Sequence, residues 1–354
     1  MSISSVITGT GSCIPSVIKK NSDFSNSTFL NEDGTSFKHQ NETIIQKFKE
    51  ITGIEERRYS DDDLNASDLA TIAAEKAIVT AKIDKNSIDQ IIVAHNFGDV
   101  SKGSIQCDTL PSLASKVKNK LKIINPGCIA YDLLFGCPGW VQGVIQAEAF
   151  IKSGIAKTVL VIGTETLSRV VDDYDRDSMI YADGAGAVII QAKEQAGVGV
   201  ISHASETYTV EETNYLFFGE SYKADADNTK YIKMHGRKIY EFALSNVPNA
   251  MKSALDKSGF DISEVKKILI HQANEKMDEA IVKRFYRLYK KTMPQDVMPM
   301  VIHKLGNSSV ATVPTLLDLI LEDELEDQEI NKGEVIILAA VGAGMNINAV
   351  VDKF

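Results

Sequence analysis

The stretches AEKAIVTAKIDKNSIDQIIV (residues 74–93) and MKSALDKSGFDISEVKKILI (residues 251–270) align without a gap at an offset of 177 residues, half the length of this 354-residue chain. Both have the pattern of a helix, a turn and a strand. The matched apolar positions are Ala77 with Ala254, Ile78 with Leu255, Ile83 with Phe260, Ile88 with Val265, and residues 91–93 with 268–270. At the same offset, residues 159–161 fall on 336–338. The repeat predicts two copies of one α/β half with a site at their junction, although apolar positions also coincide by chance in α/β proteins.

Runs of Ile, Val and Leu recur along the chain and are typical of strands buried on both faces. They lie at residues 6–14, 90–98, 158–166, 186–190, 266–274 and 334–342. Helical patterns separate several of these runs, so the sequence predicts an α/β fold. We expect an N-terminal half over residues 1–190 and a C-terminal half over residues 191–354. Residues 19–46 are polar and rich in Asn, Ser and Asp, which predicts an excursion on the surface.

The composition excludes several functional classes. A formal net charge of −10 argues against a general nucleic-acid-binding protein, because such proteins need a basic face. There is no basic leader and no apolar run of about 18 residues, so we expect no membrane segment and a cytoplasmic location. The four cysteines have no CxxC spacing, so we expect neither a metal site nor a disulfide framework.

Cys137 lies among glycines, just before an apolar helical pattern that starts at Trp140. A helix N-terminus presents unpaired N–H groups and the positive end of the dipole, so we expect the pKa of this thiol to be lowered toward the reactive thiolate. Gly136 and Gly139 leave room for the close approach of a substrate thioester. A buried structural cysteine in a tight strand-to-helix turn is the alternative, and this segment alone does not decide between the two.

Two further side chains are candidates to complete a site with this thiol. His271 directly follows a buried strand, and chemistry in open α/β sheets lies at the carboxyl ends of strands. Asn307 precedes a run of small residues that becomes an apolar helix. A hydrogen-bonded core histidine and a helix N-cap are the plain alternatives for these two residues. The glycine-rich loop at residues 341–351 follows the last strand, and its backbone N–H groups are suited to hold an oxyanion.

Several motifs, in this order, resemble one family. They are AYDLLFGCPGWVQGVIQAEAFIKSG (130–154), LVIGTETLS (160–168), YADGAGAVII (181–190), HQAN (271–274), GNSSVATVP (306–314) and the terminal GAG loop. The chain resembles β-ketoacyl-acyl-carrier-protein synthase III, of the thiolase superfamily, over nearly its whole length. This resemblance implies a duplicated five-layer αβαβα sandwich, in agreement with the internal repeat, and a homodimer.

The resemblance also implies a role for each candidate residue. Cys137 would accept the acyl group of a primer, delivered by CoA or by acyl carrier protein. His271 and Asn307 would stabilise the enolate that forms when a malonyl thioester loses carbon dioxide, and the backbone N–H groups of Cys137 and Ala343 would hold the oxyanion. The product is a β-ketoacyl thioester, as in the initiation of fatty-acid synthesis. The substrates are thioesters of CoA or of carrier-protein phosphopantetheine, and the chemistry needs no metal or redox cofactor.

Basic side chains are concentrated on the predicted helix behind the HQAN motif. They include Lys276, Lys283, Arg284 and Arg287. By resemblance this surface would dock an acidic acyl carrier protein, with Lys276 at the family's basic docking position. An ordinary solvated helix face is the alternative. Leu110 matches a family position, usually Phe, that reaches across the dimer into the partner's acyl channel.

The sequence departs from the family at the expected CoA site. Lys47 and Ile51 stand where typical members have the Trp and Arg that clamp the adenine of CoA, and the excursion at residues 19–46 lies near this entrance. The departure favours a carrier-protein thioester or another donor as primer. It also supports the alternative of a related enzyme in a specialised pathway that uses longer acyl or β-ketoacyl thioesters. A non-catalytic carrier-binding partner subunit is a further alternative, which the intact Cys137, His271 and Asn307 oppose.

Overall fold

The computed structural model describes residues 3–224 and 226–354. Its helices are α1 (Asn41–Thr52), α2 (Ala66–Ala81), α3 (Leu113–Lys120), α4 (Gly139–Lys152), α5 (Gly236–Ser258), α6 (Glu275–Leu288), α7 (Ile302–Leu305) and α8 (Thr312–Leu321). Its strands are β1 (Ser4–Cys13), β2 (Val17–Lys20), β3 (Glu56–Tyr59), β4 (Gln90–Ala94), β5 (Ile129–Leu133), β6 (Thr158–Thr166), β7 (Asp183–Lys193), β8 (Gly199–Thr207), β9 (Leu216–Glu220), β10 (Lys230–Met234), β11 (Val265–Ile270), β12 (Val335–Gly342) and β13 (Asn346–Lys353). Within the described ranges, none of the helices combines the length and the apolar character needed to cross a membrane.

Two sheets carry the fold. The first has the order β1-β7-β6-β4-β5, in which β4 pairs parallel with β5 and β6, while β7 pairs antiparallel with β6 and β1. The second has the order β8-β13-β12-β11, with β11 parallel to β12 and the other pairs antiparallel. The second sheet therefore repeats the order and the strand directions of the first four strands of the first sheet.

The internal repeat is also visible in where the elements begin. Strand β6 begins at Thr158 and β12 at Val335, and 335 − 158 is 177. The short 3-10 turns Lys85–Ser87 and Ile262–Glu264, which precede β4 and β11, are separated by the same 177 residues. The first sheet extends slightly past the expected boundary at residue 190, because β7 ends at Lys193.

Side chains alternate between the two faces of each buried strand, as the period of two requires. In β4, Ile91 packs with α2 and α3 while Ile92 packs with α4. In β11, Ile268 packs with α5 and α6 while Leu269 packs with α8. The layers therefore run from α2 and α3 through the first sheet, α4 and α8, and the second sheet to α5 and α6. This is the five-layer αβαβα sandwich that the family resemblance implied, built from the two repeated α/β halves that the sequence predicted.

The middle layer joins the two halves of the chain. It consists of α4 from the first half and α8 from the second, and both helices contribute fully buried side chains such as Trp140 and Leu316. The indole Nε1 of Trp140 donates to the carbonyl oxygen of Val161 at 3.3 Å, which satisfies its one polar atom. Because these helices are apolar on more than one face, they need a sheet on each side.

The excursion at residues 19–46 is less polar in structure than its composition suggests. Phe24 is buried in a hydrophobic cluster with α1. Arg57 is fully buried below it and donates to the carbonyl oxygen of Met179 at 3.0 Å and to Oδ1 of Asn21 at 2.6 Å. Its guanidinium carbon lies 5.1 Å from the centre of the Phe24 ring. The excursion is therefore anchored to the sandwich, which the isolated aromatic residues in a polar stretch did not indicate.

Candidate active site

Cys137 lies in the turn between β5 and α4, as the sequence predicted. Gly136 has a left-handed φ of 66°, and α4 begins at Gly139. The Cys137 side chain is partly exposed and lines a cavity of about 650 Å³, which His271 and Asn307 also line. The structure therefore brings the three predicted catalytic side chains, one from the first half and two from the second, to a single cavity.

Two glycines allow the loops that meet at the thiol to touch. A Cβ on Gly136 would lie 2.7 Å from the backbone nitrogen of Ala343, and a Cβ on Gly342 would lie 2.5 Å from that of Cys137. Neither distance is compatible with a side chain. As a result, the backbone N–H groups of Cys137 and Ala343 both face the Cys137 sulfur. These are the two groups that the sequence comparison proposed for the oxyanion.

The thiol is not ionised in advance. Burial raises the pKa of Cys137 to about 11, and the negative charge of Glu165 adds to this effect. The Ser309 hydroxyl and the two backbone N–H groups act in the opposite direction, but desolvation outweighs them. The backbone N–H group of Cys137 at the helix N-terminus therefore acts as expected, but the net pKa of the thiol is raised and not lowered toward the thiolate. The resting residue is a neutral thiol, which needs a base to become a nucleophile.

His271 is held as a neutral imidazole at the end of β11. The Thr312 hydroxyl donates to the carbonyl oxygen of Ser309 at 3.0 Å, so it accepts from His271, whose Nδ1 lies 2.7 Å away. The ring proton therefore sits on Nδ1, and Nε2 carries a lone pair. Burial lowers the pKa of His271 to about 4. His271 therefore contributes a neutral imidazole to the cavity that Cys137 also lines.

Asn307 presents its amide nitrogen to the same cavity. Its Oδ1 accepts from the backbone N–H of Ser309 at 2.8 Å, which fixes the orientation of the amide group. The backbone of Asn307 is held on both sides, by Ile180 at 3.0 Å and Ala182 at 2.9 Å. The alternative of a simple helix N-cap is wrong, because α8 begins at Thr312 and its N-cap residue is Ala311. With Oδ1 occupied, Nδ2 is available as a hydrogen-bond donor to a substrate.

Sequence reasoning missed a polar chain on the other side of the sulfur. The Ser309 hydroxyl donates to the Cys137 sulfur at 3.3 Å, and Asn96 donates to the Ser309 hydroxyl at 3.1 Å and also to Glu165. Glu165 is almost fully buried, and burial raises its pKa to about 8. The visible signal was a carboxylate near the carboxyl end of β6, a strand that is buried throughout. A charged residue in a fully buried strand requires polar partners.

Comparison with known proteins identifies the family. Residues 131–209 match the family 3-oxoacyl-[acyl-carrier-protein] synthase III, and residues 255–354 match the C-terminal family of the same enzyme. The β-ketoacyl-[acyl-carrier-protein] synthase III 1 of Vibrio vulnificus (strain YJ016) is 34% identical over 351 residues, 99% of each chain. The chain belongs to the synthase III family. It is a condensing enzyme of the acyltransferase type.

Solved structures agree with this assignment. The 3-oxoacyl-[acyl-carrier-protein] synthase III of Aquifex aeolicus VF5 matches with a TM-score of 0.80 and 28% identity, over 99% of this chain and 100% of that one. The priming β-ketosynthase of the R1128 polyketide biosynthetic pathway matches with a TM-score of 0.81 at 22% identity, over 99% of this chain and 96% of that one. At this low identity, the second match is evidence only that the two proteins share a fold.

The cavity wall differs from the typical family pattern at the positions expected for the adenine clamp. Lys47 and Ile51, at the positions expected for the adenine clamp, both line the cavity, together with Phe37 of the excursion. The guanidinium of Arg176 lies over the Phe37 ring, 5.3 Å from its centre. The excursion therefore contributes Phe37 to the wall of this cavity, where the ring pairs with Arg176 from the turn Arg176–Ile180, a pair that alignment on the family motifs did not reveal.

The predicted carrier-docking residues lie along α6 and are exposed. They are Lys276, Lys283, Arg284 and Arg287. Lys276 is the second residue of α6 and lies two positions after Asn274, which lines the cavity. Lys283 is paired with Glu279 at 2.6 Å, so part of its charge is neutralised within the helix. Lys276 is therefore the member of the set nearest in sequence to the cavity mouth. Its role in docking stays a prediction.

Leu110 lies outside this cavity. It is 90% exposed and does not line the site of its own chain. This position is compatible with the expectation that it contacts a second subunit, and that role also stays a prediction.

Proposed function

We propose that this protein condenses an acyl thioester primer with malonyl-acyl-carrier-protein, with loss of carbon dioxide, through an acyl intermediate on Cys137. The single observation that carries the proposal is the shared cavity, at which a thiol, a neutral imidazole, an oriented amide and two backbone N–H groups meet. The related proteins of Vibrio vulnificus and Aliivibrio fischeri are β-ketoacyl-[acyl-carrier-protein] synthases III, which supports the same reaction class for this chain.

In the first half-reaction, the lone pair on His271 Nε2 takes the proton of the Cys137 thiol, because the raised pKa of the thiol prevents spontaneous ionisation. The sulfur then attacks the carbonyl carbon of the primer thioester. The oxyanion of the tetrahedral intermediate accepts from the backbone N–H groups of Cys137 and Ala343. The C–S bond to the carrier breaks, and the leaving thiolate takes the proton from His271. The products are the acyl-enzyme and a free carrier thiol.

In the second half-reaction, the malonyl thioester places its carbonyl oxygen against Asn307 Nδ2 and His271 Nε2. The malonyl carboxylate is a negative charge next to the ring, so it favours the protonated imidazole, in which both nitrogens donate. These donors stabilise the enolate as carbon dioxide leaves. The carbanion attacks the acyl carbon on Cys137, and the C–S bond to the enzyme breaks. The Cys137 thiolate recovers its proton from His271, so the overall reaction consumes one proton.

All of these steps use hydrogen-bond donors, a base and a nucleophile, so we propose no metal or redox cofactor. We propose acyl carrier protein as the partner that docks on α6, acyl-CoA or acyl carrier protein as the primer donor, a homodimer as the assembly and the cytoplasm as the location. Lys47 and Ile51 at the clamp positions favour a carrier-bound primer over acetyl-CoA. The same observation favours, as the second candidate, a synthase III-like enzyme of a specialised pathway that uses longer acyl or β-ketoacyl thioesters.

Intact-protein mass spectrometry tests the proposal. The protein is incubated with a panel of acyl-CoA and acyl-carrier thioesters, and malonyl carrier protein is then added. We expect the acyl mass to be retained by the wild type, lost in Cys137→Ala, and discharged as a β-ketoacyl product on addition of malonyl carrier protein. Cys107→Ala is the matched control, because Cys107 is an exposed thiol outside the cavity. Acylation that persists in Cys137→Ala and disappears in Cys107→Ala would overturn the assignment.

A further inference from the structure

Ser309 has an unfavourable backbone conformation at the edge of the site. Its φ is 52°, in the left-handed region that side chains other than glycine rarely adopt. The residue is buried and follows Asn307 by two positions. Strain of this kind persists only where the surroundings impose it, and it is concentrated at functional sites. The contacts of Ser309 show what the conformation achieves.

Each of the three polar groups of Ser309 leads to a different catalytic side chain. Its hydroxyl donates to the Cys137 sulfur at 3.3 Å. Its backbone N–H donates to Oδ1 of Asn307 at 2.8 Å. Its carbonyl oxygen accepts from the Thr312 hydroxyl at 3.0 Å, and that hydroxyl in turn meets His271 Nδ1 at 2.7 Å. One residue thus contacts the nucleophile and the amide donor directly, and its carbonyl oxygen acts on the base both directly and through Thr312.

Asn96 and Glu165 set the direction of the Ser309 hydroxyl. Asn96 Nδ2 donates both to Glu165 and to the Ser309 hydroxyl oxygen, the latter at 3.1 Å. Because that oxygen already accepts from Asn96, its single hydrogen is free to point at the Cys137 sulfur. Glu165 accepts from the same amide nitrogen that donates to the Ser309 hydroxyl, and this second bond favours the orientation in which the Asn96 nitrogen faces Ser309.

We propose that Ser309 is a positioning residue that aligns all three catalytic groups through three separate hydrogen bonds, and that Asn96 and Glu165 orient its hydroxyl. This inference rests on the roles proposed above for Cys137, His271 and Asn307. In this proposal, the side chain and the backbone of Ser309 have different functions. The hydroxyl serves the thiol, whereas the backbone groups serve the imidazole and the amide, so the two half-reactions respond to different substitutions.

The first measurement is the pH dependence of iodoacetamide alkylation of Cys137, followed by intact mass in a Cys107→Ala background. Ser309→Ala removes only the hydroxyl, so the pKa of the thiol rises further and alkylation at pH 8 slows about tenfold or more. Asn96→Asp slows alkylation as well, because the aspartate accepts the Ser309 hydrogen that otherwise points at sulfur. Ser308→Ala, in the same loop, is the matched control and leaves the alkylation profile unchanged.

The second measurement is decarboxylation of malonyl carrier protein without a primer. Ser309→Ala retains this activity, since its backbone groups remain, whereas Thr312→Val loses about tenfold or more, since His271 loses its Nδ1 partner. Circular dichroism and the melting temperature verify folding. If Ser309→Ala does not fold, Asn96→Asp still tests the role of the hydroxyl, and Thr312→Val still tests the role of the carbonyl oxygen.

Identical alkylation profiles for Ser309→Ala, Asn96→Asp and Ser308→Ala would overturn the proposal. Parallel loss of both activities in folded Ser309→Ala and Thr312→Val would do the same. Alkylation needs no substrate, so a shifted profile without any condensing activity would leave this proposal standing and reject the proposed function.

Discussion

Gly342 touches Cys137 so closely that a Cβ on the glycine would lie 2.5 Å from the Cys137 nitrogen and 2.9 Å from its sulfur. The φ of Gly342 is −172°, which any residue adopts, so the glycine is required by contact and not by backbone conformation. We therefore expect Gly342→Ala to push the two loops apart and to slow self-acylation at least about a hundredfold, because it displaces the oxyanion donors. Gly127→Ala, at an exposed turn, is the control. Wild-type acylation by Gly342→Ala would contradict this assignment of the contact.

The two residues that we propose as donors to the malonyl group, Asn307 and His271, differ in what we expect of them in the first half-reaction. Asn307→Asp keeps the acceptor for the Ser309 N–H and replaces the donor with an oxygen, so it repels the enolate. We expect decarboxylation to fall about 10²–10³-fold, further than in Asn307→Ala, while self-acylation is retained. His271→Ala, in contrast, should lose both half-reactions, because it removes the base as well. Single-turnover measurements of each half-reaction separate the two outcomes, and retained acylation in His271→Ala would exclude His271 as the base.

Carrier docking at α6 predicts a donor-specific effect. Lys276→Glu reverses an exposed charge at the start of the helix, so we expect the KM for malonyl-acyl-carrier-protein to rise about tenfold with kcat little changed. The effect should shrink at high salt, because exposed charges are screened. Malonyl-CoA offers no protein surface, and its KM serves as the internal control. An equal rise of KM for both donors would place Lys276 in the pantetheine path and not at the docking surface.

Arg57 predicts a coupling between the excursion and stability. Arg57→Lys cannot donate to both Met179 and Asn21 or stack on Phe24 in the same way, so we expect the free energy of unfolding to fall by about 2–4 kcal/mol. Limited proteolysis should then cut first within residues 19–46. Arg58→Lys, at a partly exposed pair with Glu56, is the matched control and should change little. Equal stability of the two variants would show that the buried guanidinium does not hold the excursion.

Asp352 predicts a pH dependence of stability. Burial raises its pKa from 3.8 to about 7, with the charge of Glu148 adding to the effect, and its Oδ2 has no partner among the described residues. The folded state therefore binds this proton more tightly than the unfolded state does. The resulting stability is complete below about pH 4 and is lost as the pH rises to about 7. We expect Asp352→Asn to stabilise the protein at pH 8 by about 1–4 kcal/mol and to change it little at pH 4, as measured by urea unfolding.

The repeat was predictable because the helix, turn and strand of the two copies have the same local geometry. Lys82 and Gly259 both end their helices in the left-handed conformation, and they too are 177 residues apart. The matched apolar positions reflect this common geometry. They therefore predict the two halves of the chain and the layers that each half forms. The positions of Cys137, His271 and Asn307 could be predicted because each lies in a short motif at the end of an element: His271 directly follows β11, Cys137 precedes α4 by two residues, and Asn307 follows α7 by two.

What the sequence did not reveal depends on contacts between distant residues. The pKa of Cys137 is raised and not lowered, because the walls that bury the sulfur come from several elements whose packing no local pattern records. The role of Ser309 depends on a hydroxyl whose direction is set by Asn96, 213 residues earlier in the chain. The sequence of the excursion indicated a polar surface segment because only a few irregularly spaced residues, mainly phenylalanines, pack into the core.

The helix that follows the nucleophile shares its layer with a helix made from residues near the carboxyl end. A ribosome therefore completes the first sheet and α4 long before α8 and the second sheet exist to cover the apolar side chains around Trp140. Nascent chains arrested in the second half should present this bare surface to chaperones and aggregate readily. For the same reason, fragments corresponding to the separate halves should fold only when they are co-expressed. Recovery of activity from co-expressed fragments in the cell would be a genetic assay for the shared layer.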